Sequence, residues 1–400
     1  MHAPFPPYRR SPAARHTFGP AASAALASLL LAFFFAASSA PTPLYALYRE
    51  AWGFSPARLT VVFAVYAFAL LAALLVTGAL SEHAGRRPVI VGAVALEALS
   101  MAVFAVAPSV DALMVARVIQ GFATGVAASA LSATVIDHAP GRGAWLNSMV
   151  PGLGLGAGAL GASLLVQFAP APTRLVYWLL LAVFAVLGLA VLRLRETASL
   201  RPGGWASLRP RVQLPPQVRG AFWSVAPVEV AVWALGALYL SLGPSLVRSV
   251  SGSLSPVEGG LLVAALTFSG VLATLALGRQ ATAVLVRYGA TALALGTAIS
   301  LAGLHAGSVA VFFAGVVVAG TGFGAGFLGA LRTVLAPAAA HERAGVLAAF
   351  YILSYLANSL PAIGAGVAAG RFGLTATANG YGAILIVLCA ASLWLSARRA

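Results

Sequence analysis

The stretch that decides the fold reads GALSEHAGRRPVI over residues 78–90 and lies between two apolar runs. It has glycines at Gly78 and Gly85, a carboxylate at Glu82, and adjacent arginines at Arg86 and Arg87. An apolar run of roughly 20 residues ends where the stretch begins and another starts where it ends, and this is the length that a helix needs to cross a bilayer. The stretch is therefore predicted to be a tight charged loop between two membrane helices.

The composition of the whole chain is that of a membrane protein with many spans. Of 400 residues, 60% are hydrophobic and 8% are charged, whereas soluble domains average about 25% charged residues. The net charge of +15 comes from 24 basic residues, all arginine, which mostly fall singly or in pairs between apolar runs. That distribution is typical of the positive-inside rule and argues against nucleic-acid binding.

Twelve apolar runs are long enough to span a membrane. They lie at about residues 21–44, 57–80, 88–107, 112–136, 143–167, 173–194, 220–244, 258–278, 287–304, 308–333, 343–369 and 375–396. Helices are expected because each segment must satisfy its own backbone hydrogen bonds in lipid. The predicted fold is an all-α integral membrane protein. Its organisation is a tail at 1–20, a six-helix bundle at 21–194, a linker at 195–219 and a second six-helix bundle at 220–397.

The orientation follows from the arginines in alternate loops. One side of the membrane holds 18 of the 24 arginines, including Arg86, Arg87 and those of the linker, and the other side holds six. Because positive loops stay in the cytoplasm, both termini, the 78–90 loop and the linker are predicted to be cytoplasmic. Residues 1–40 also fit a secretory signal peptide, with Ser38 to Ala40 as the cleavage site.

The two halves resemble each other at a shift of 200 or 201 residues. The paired landmarks are Pro43 with Pro244, Gly78 with Gly278, Arg87 with Arg287, Gly121-Phe122 with Gly322-Phe323, Gly125 with Gly326, and Arg142 with Arg343. Composition bias is the alternative explanation. Two copies in the same orientation imply two pseudo-symmetric bundles related by an axis along the membrane normal, with a binding site between them. The pairing also makes span 1 the partner of span 7, which argues against its removal as a signal peptide.

The spacing G-x-L-x-E-x-x-G-R-R resembles the loop signature of the major facilitator superfamily, usually G-x-L-x-D-R-x-G-R-R/K. Glu82 stands in for the aspartate and His83 for the first arginine. The resemblance implies that this loop is a gate that latches the two bundles in the outward-facing state. The implied gating residues are Gly78, Leu80, Glu82, Gly85, Arg86 and Arg87. A plain anchored turn is the alternative. From the residues alone, Gly78 is expected to allow a close helix approach, Gly85 a positive φ, and Glu82 bonds with Arg86, Arg87 or a helix N-terminus.

Two further motifs resemble the same family. RVIQGFATG at residues 117–125 is similar to its span 4 motif R-x-x-Q-G-x-x-x-A/G, in which the arginine is associated with proton coupling. GLGLGAGALG at residues 152–161 resembles the span 5 signature of drug and proton antiporters, G-x-x-x-G-P-x-x-G-G. Ala157 replaces the proline and Leu160 a glycine, so plain packing of small residues explains this run equally well.

Three charged residues interrupt the apolar runs, where each costs at least about 2.5 kcal/mol on insertion scales. Arg117 shares a helical face with Gln120 and Thr124, so a charged and polar stripe is predicted to face inward. The resemblance implies that Arg117 takes part in proton coupling, and an arginine that reaches the outer interface is the alternative. Glu229 in span 7 is the preferred proton-coupling residue; its alternatives are recognition of a cationic substrate and permanent pairing with Arg117. Glu97 is expected to be neutral and hydrogen bonded inside its own bundle.

A substrate cavity is predicted from polar and aromatic residues at helical spacing. Span 11 carries Tyr351, Ser354, Tyr355 and Asn358 on one face, and span 7 carries Trp233 and Tyr239. With Gln120 and Thr124, these residues suit a small amphipathic molecule that is stacked on rings and held by few hydrogen bonds. Aromatic belts at the membrane interface are the alternative for some of them.

The sequence therefore predicts a secondary transporter in the inner (plasma) membrane, not an enzyme. The preferred function is proton-coupled efflux of a small amphipathic compound. The expected mechanism is antiport by alternating access. A proton-coupled importer of a metabolite and a non-transporting receptor or scaffold are the alternatives. The histidines lie at segment ends or in tails, so no metal site is expected. The proton gradient replaces a cofactor, the partners are a small-molecule substrate and the lipid bilayer, and a monomer is expected.

Overall fold

The computed structural model describes residues 17–198, 207–339 and 341–398. Within these ranges the chain forms twelve long helices and no strand. The helices are α1 (Pro20–Ser39), α2 (Pro56–Thr77), α3 (Arg86–Val106), α4 (Val110–His138), α5 (Gly143–Phe168), α6 (Leu175–Val191), α7 (Pro216–Ser241), α8 (Pro256–Leu277), α9 (Thr282–Ala306), α10 (Val309–Leu335), α11 (Arg343–Phe372) and α12 (Leu374–Ala397). Shorter helical segments include Thr42–Leu44, Tyr45–Trp52, Leu80–Ala84 and Gly243–Ser251.

Eleven of these long helices have the length and apolar composition to cross a membrane. The exception is α6, whose 17 residues rise about 25 Å, a little less than a typical hydrocarbon core. The regular helix α1 stops at Ser39, where Pro41 and Pro43 interrupt the hydrogen bonding because proline has no backbone N–H to donate. Helical turns nevertheless continue, and the first candidate span runs from Pro20 to Trp52, which includes the predicted 21–44. The all-helical membrane fold is confirmed.

The first six helices and the last six pack in the same way. Helix α4 packs against α1, α2 and α3, and α10 packs against α7, α8 and α9. Helix α5 packs against α1 as α11 packs against α7, and α6 against α3 as α12 against α9. Helices α2 and α8 are both 22 residues long and begin with a serine N-cap followed by proline, at Ser55 and at Ser255. The predicted arrangement of two pseudo-symmetric six-helix bundles is therefore confirmed.

The register of the repeat differs from the predicted one in α4 and α10. Gly121 and Gly125 lie against α2, at Tyr66 and Leu70. The glycines that lie against the corresponding positions of α8, Leu266 and Gly270, are Gly320 and Gly324. Gly322 and Gly326, which the sequence shift pairs with Gly121 and Gly125, lie against α9 instead. The prediction was wrong by about half a helical turn because α10 is rich in glycine and several shifts align equally well.

Two pairs of helices hold the bundles together, α2 with α11 and α5 with α8. The glycines of α5 contact neighbouring helices on two faces of this helix. Gly154 and Gly158 lie against the backbone of α1 in the same bundle, whereas Gly152 and Gly156 lie against α8 of the other bundle. Side chains at these positions would overlap atoms of the facing helix. The small residues therefore allow the close helix approach that the four-residue spacing predicts.

Polar contacts define the two ends of the molecule. On the side where the linker lies, the backbone N–H of Phe18 before α1 donates to the carbonyl of Arg193 after α6, at 3.0 Å. We call this end the linker side. At the opposite end, the far side, Arg58 at the start of α2 forms an ion pair with Asp111 at the start of α4, at 2.5 Å.

The bundles are joined by hydrogen bonds at the far side. Arg248 of the second bundle forms an ion pair with Glu50 of the first at 2.9 Å. The hydroxyl of Ser255, before α8, donates to Gln167 near the end of α5 at 3.2 Å. These two hydrogen bonds connect the bundles on this side. The structure is therefore a state in which the far side is closed.

Candidate functional site

The 78–90 loop is a turn of helix followed by a glycine corner. Leu80–Ala84 forms the helical turn, Gly85 has φ +98°, and α3 begins at Arg86. The carboxylate that binds the N-terminus of α3 belongs to Glu196, just after α6. Its Oε1 accepts from the backbone N–H of Arg86 at 2.9 Å, and its Oε2 from that of Arg87 at 3.0 Å. A carboxylate at this position also stabilises the positive end of the helix dipole.

This arrangement corrects two expectations for the loop. Of the partners expected for Glu82, the N-terminus of α3 is bound by Glu196, and bonds of Glu82 with Arg86 or Arg87 stay a prediction. The side chain of Arg86 contacts Ser81, through Nη1 at 2.5 Å, and Asp137 at the end of α4, through Nε at 3.4 Å. Gly78 is exposed, and a Cβ there would meet only the carbonyl of Leu74 in its own helix. It therefore provides no close approach to another helix.

Glu196 and Asp137 are loop partners that the motif does not contain. Thr197, next to Glu196, donates its hydroxyl to Asp137 Oδ2 at 2.7 Å. The linker, α4 and the 78–90 loop are thus joined through two acids. Their positions in the chain could have indicated this role. Asp137 lies at the end of span 4 and Glu196 follows span 6, and both spans end on the side of the membrane where the 78–90 loop lies.

Gly85→Ala is expected to destabilise the protein by about 1–3 kcal/mol, the usual cost of a strained backbone position. A Cβ at Gly85 would lie 2.8 Å from Oε2 of Glu196, so the carboxylate must shift from its position on the α3 N-terminus. Gly141→Ala is the matched control, because Gly141 has φ +84° with open space around it. Thermal unfolding of purified protein should show a larger loss for Gly85→Ala; equal losses would contradict a role for the Glu196 contact.

Arg117 lies in the interior of the first bundle and does not reach the membrane interface. Its side chain is 1% exposed. Nη1 donates to the carbonyl of Ser38 in α1 at 2.8 Å and to Oε1 of Gln120 at 2.6 Å. Nε2 of Gln120 in turn donates to the carbonyl of Ala37 at 3.0 Å and to Oε1 of Glu97 at 3.2 Å. The interfacial alternative for Arg117 is therefore wrong.

Gln120 and Thr124 are both completely buried among α1, α2 and α4. Thr124 donates its hydroxyl to the carbonyl of Gln120 at 2.8 Å. The predicted polar stripe on α4 is present, but in this state it faces the interior of its own bundle. Glu97 accepts its hydrogen bond inside the same bundle, as predicted.

Glu229 lies in the second bundle on α7, with no exposed surface. Its Oε1 accepts from the hydroxyl of Ser354 on α11 at 2.6 Å. Its Oε2 is buried, and the indole of Trp233, one turn along α7, is a further hydrogen-bonding neighbour of the carboxyl. Glu229 is therefore an intramembrane acid held by neutral groups of α7 and α11. The alternative in which Glu229 pairs with Arg117 is wrong, because their hydrogen bonds lie in different bundles.

Aromatic rings surround Glu229 on the side of α10 and α11. The ring of Trp233 lies 4.9 Å from that of Tyr355 and 6.1 Å from that of Phe327. Tyr351 lies 6.2 Å from Tyr355. We refer to Trp233, Phe327, Phe350, Tyr351 and Tyr355 as the aromatic cluster. Phe327 and Phe350 were missing from the predicted cavity because they have no polar atom to mark them in an apolar span.

Among the predicted cavity residues, Gln120 and Thr124 lie in the first bundle, and Tyr239 lies apart from the aromatic cluster of the second. Tyr239 faces α9, where its hydroxyl donates to Ser300 at 3.2 Å, and it lines a small space inside the second bundle. Asn358 is 7% exposed on α11, one turn beyond Ser354. The structure therefore brings together Glu229, Trp233, Tyr351, Ser354 and Tyr355, and leaves Tyr239 elsewhere.

Two tyrosines, Tyr66 and Tyr355, connect the two buried sites across the contact between the bundles. The guanidinium of Arg117 lies 4.2 Å above the ring of Tyr66 on α2. Tyr66 is in turn buried with Tyr355 at the contact of α2 with α11, in a cluster that also contains Leu70 and Leu71. The Arg117 site and the Glu229 site are thus linked through two rings.

The family model of the Major Facilitator Superfamily matches residues 27–362 of this chain. The chain belongs to the Major Facilitator Superfamily. This match covers five sixths of the chain and includes the 78–90 loop, the Arg117 site and the Glu229 site. The chain is thus a member of a family of non-enzymatic membrane transporters.

The relatives include transporters of different kinds. The chain is 30% identical over 211 residues to multidrug resistance protein MdtL of Shewanella sp. (strain ANA-3), covering 50% of this chain and 51% of that protein. It thus spans about half the length of the curated relative that it matches. Two solved structures share the fold at low identity. They are a mutant of the nucleoside transporter NupG (TM-score 0.73, 13% identity, 93% and 99% coverage) and a bacterial homologue of the human lysosomal transporter Spinster, inward-facing and unoccupied (TM-score 0.76, 15% identity, 94% and 97% coverage).

Proposed function

We propose that this member of the Major Facilitator Superfamily is a proton-coupled exporter of small amphipathic compounds. The observation that carries the proposal is the fully buried carboxyl of Glu229, which is hydrogen bonded to Ser354 and lies next to Trp233 of the aromatic cluster. The partial match to a multidrug resistance protein supports efflux. The arginine distribution supports a cytoplasmic linker side in a plasma membrane, and the far side then faces outward.

Glu229 is proposed to bind and release one proton in each transport cycle. Burial disfavours a charged carboxylate, and hydration favours it. A carboxyl that is buried in one state of the transporter and wetted in the other therefore changes its proton occupancy as the bundles move. Ser354 on α11 donates to Glu229 on α7 in the described state. Movement between these two helices would change the hydrogen bonding of the carboxyl.

The aromatic cluster is proposed to bind the substrate. Trp233 and Tyr355 offer large apolar faces beside polar tips, which suits a molecule with a flat apolar part and few polar groups. The carboxylate of Glu229 beside these rings also provides the setting for a positively charged substrate. If the substrate is positively charged, the proton and the substrate would bind Glu229 alternately during the cycle.

The 78–90 loop is proposed to be the gate on the linker side. Glu196, Asp137 and Arg86 connect the loop to α4 and to the linker, so movement of the linker would be transmitted to the N-terminus of α3. In the described state the far side is closed by the contacts of Glu50 and Gln167 with the second bundle. Exchange of substrate would then take place on the linker side.

Transport by the reconstituted protein tests this proposal. Proteoliposomes are given an imposed pH gradient, and the movement of ethidium, rhodamine or uridine is followed with and without a protonophore. We expect gradient-dependent movement of the amphipathic dyes opposite to the proton. Uridine movement in the same direction as the proton would support an importer instead. Absence of gradient-dependent movement of all three would contradict the proposal and favour a receptor or scaffold.

A further inference from the structure

Glu97 is a second buried acid, and the proposed function does not use it. It lies on α3 with no exposed surface. Oε1 accepts from Gln120 at 3.2 Å, whereas Oε2 is buried and has no hydrogen-bond partner. Glu229 in the other bundle is likewise fully buried and accepts from a neighbouring hydroxyl. Among the described residues, each bundle thus contains one fully buried carboxyl.

The surroundings of Glu97 contain one positive charge. Arg117 keeps its charge in any protein environment, and its Nη1 donates to two neutral oxygens, the Ser38 carbonyl and Gln120 Oε1. Gln120 bonds to Arg117 through its oxygen and to Glu97 through its nitrogen, so it bridges the two charged groups. A buried cation without a counter-charge costs several kcal/mol. Glu97 is therefore the acid that can balance Arg117.

The other titratable groups around Glu97 are tyrosines. Tyr66 of α2 lies beneath the guanidinium of Arg117. Tyr177 of α6 stacks on Phe104 of α3 and shares a hydrogen bond with Tyr48. Helix α1 contributes the carbonyl of Ala37 to the site, and its residues Pro20–Ser39 include no titratable side chain. Glu97 is thus the carboxylic acid of this site, and Arg117 is its permanent cation.

We propose that Glu97 is a second proton-binding site of the transporter. Without a bound proton, Arg117, Gln120 and Glu97 form a neutral trio; one bound proton gives the trio a charge of +1. The bound proton removes the counter-charge of Arg117, which is then held by two neutral oxygens and the ring of Tyr66. Tyr66 packs with Tyr355 at the contact of α2 with α11. A proton at Glu97 therefore weakens the electrostatic stabilisation of Arg117 beside this contact between the bundles.

This inference rests on the proposed proton-coupled transport and extends it to two protons, one in each bundle. Infrared difference spectra between alkaline and acid pH test it without a substrate, because a protonated buried carboxyl gives its own C=O stretching band. Full-length protein in liposomes should show two such bands. Glu97→Gln should lose one, Glu229→Gln should lose the other, and Glu258→Gln, a control near the far side, should keep both.

The outcomes separate the two proposals. A Glu97→Gln spectrum that keeps both bands would overturn the inference and leave the role of Glu229 intact. Persistence of both bands in Glu229→Gln would instead count against the proposed function. If Glu97→Gln does not fold, Glu97→Asp keeps a carboxyl on a shorter side chain. Its band should shift in frequency and titrate at a different pH, and an unchanged band would overturn the inference.

Discussion

Glu229→Gln is expected to abolish uphill accumulation of substrate and to leave counterflow exchange in place. Glutamine has nearly the same shape and can still bond to Ser354, but it cannot exchange a proton in the cycle. Counterflow needs the bundles to move with substrate bound and does not need net proton transfer. Accumulation driven by a pH gradient should therefore fall to the level of empty liposomes, while exchange of labelled for unlabelled dye remains within about threefold of wild type.

The control for this prediction is Glu258→Gln. Glu258 is an acid at the start of α8, where it accepts from Ser251 at 2.6 Å, away from the aromatic cluster. This variant should accumulate substrate like wild type. Full accumulation by Glu229→Gln would refute Glu229 as the proton carrier. Loss of both accumulation and counterflow would instead indicate that Glu229 binds the substrate itself.

Arg117→Leu is expected to have the largest effect on stability. Removing one partner from a buried charged network costs about 3–5 kcal/mol, because the remaining groups stay buried without compensation. Here Gln120 and Glu97 would lose their link to the guanidinium, and Tyr66 would lose the cation above its ring. Thermal unfolding in detergent should show this loss, and transport should fall at least about tenfold.

Arg117→Lys separates charge from geometry. Lysine restores the charge but lacks the planar fork of donors that arginine places in this site. It should recover part of the stability and little of the transport. Arg371→Leu, at an exposed arginine near the end of α11, is the matched control and should behave like wild type. Equal stability of Arg117→Leu and Arg371→Leu would contradict the structural role of the network.

The sequence predicts the helices well because each must be apolar along its whole length and must end at polar residues or prolines. Its errors lie where structure depends on partners far away in the chain. Nothing near Glu196 indicates that it binds the N-terminus of α3, about 110 residues earlier. The half-turn error in α10 has a similar cause, since only contact with Leu266 and Gly270 shows which glycines face α8.

The candidate site was predicted in its parts and not in its assembly. Glu229, Trp233, Ser354 and Tyr355 were recognised on two separate helices, and their contact follows from the packing of α7 against α11. Tyr239 shares helix α7 with Trp233, but it faces α9. Helical spacing gives the face of a residue on its own helix, but the neighbour on that face is known only from the fold.

The central claim is that the two bundles move against each other so that the far side opens during transport. Arg248 Nη1 lies 2.9 Å from Glu50 Oε1, so these two side chains meet at the far side. A short, reducible cross-link between Glu50→Cys and Arg248→Cys, in a Cys389→Ala background, would hold the far side closed. The same cross-link between Arg58→Cys and Asp111→Cys is the control, because this pair lies within one bundle. We expect transport to stop with the first cross-link, to return on reduction, and to continue with the second. Undiminished transport by fully cross-linked Glu50→Cys/Arg248→Cys protein would contradict the account.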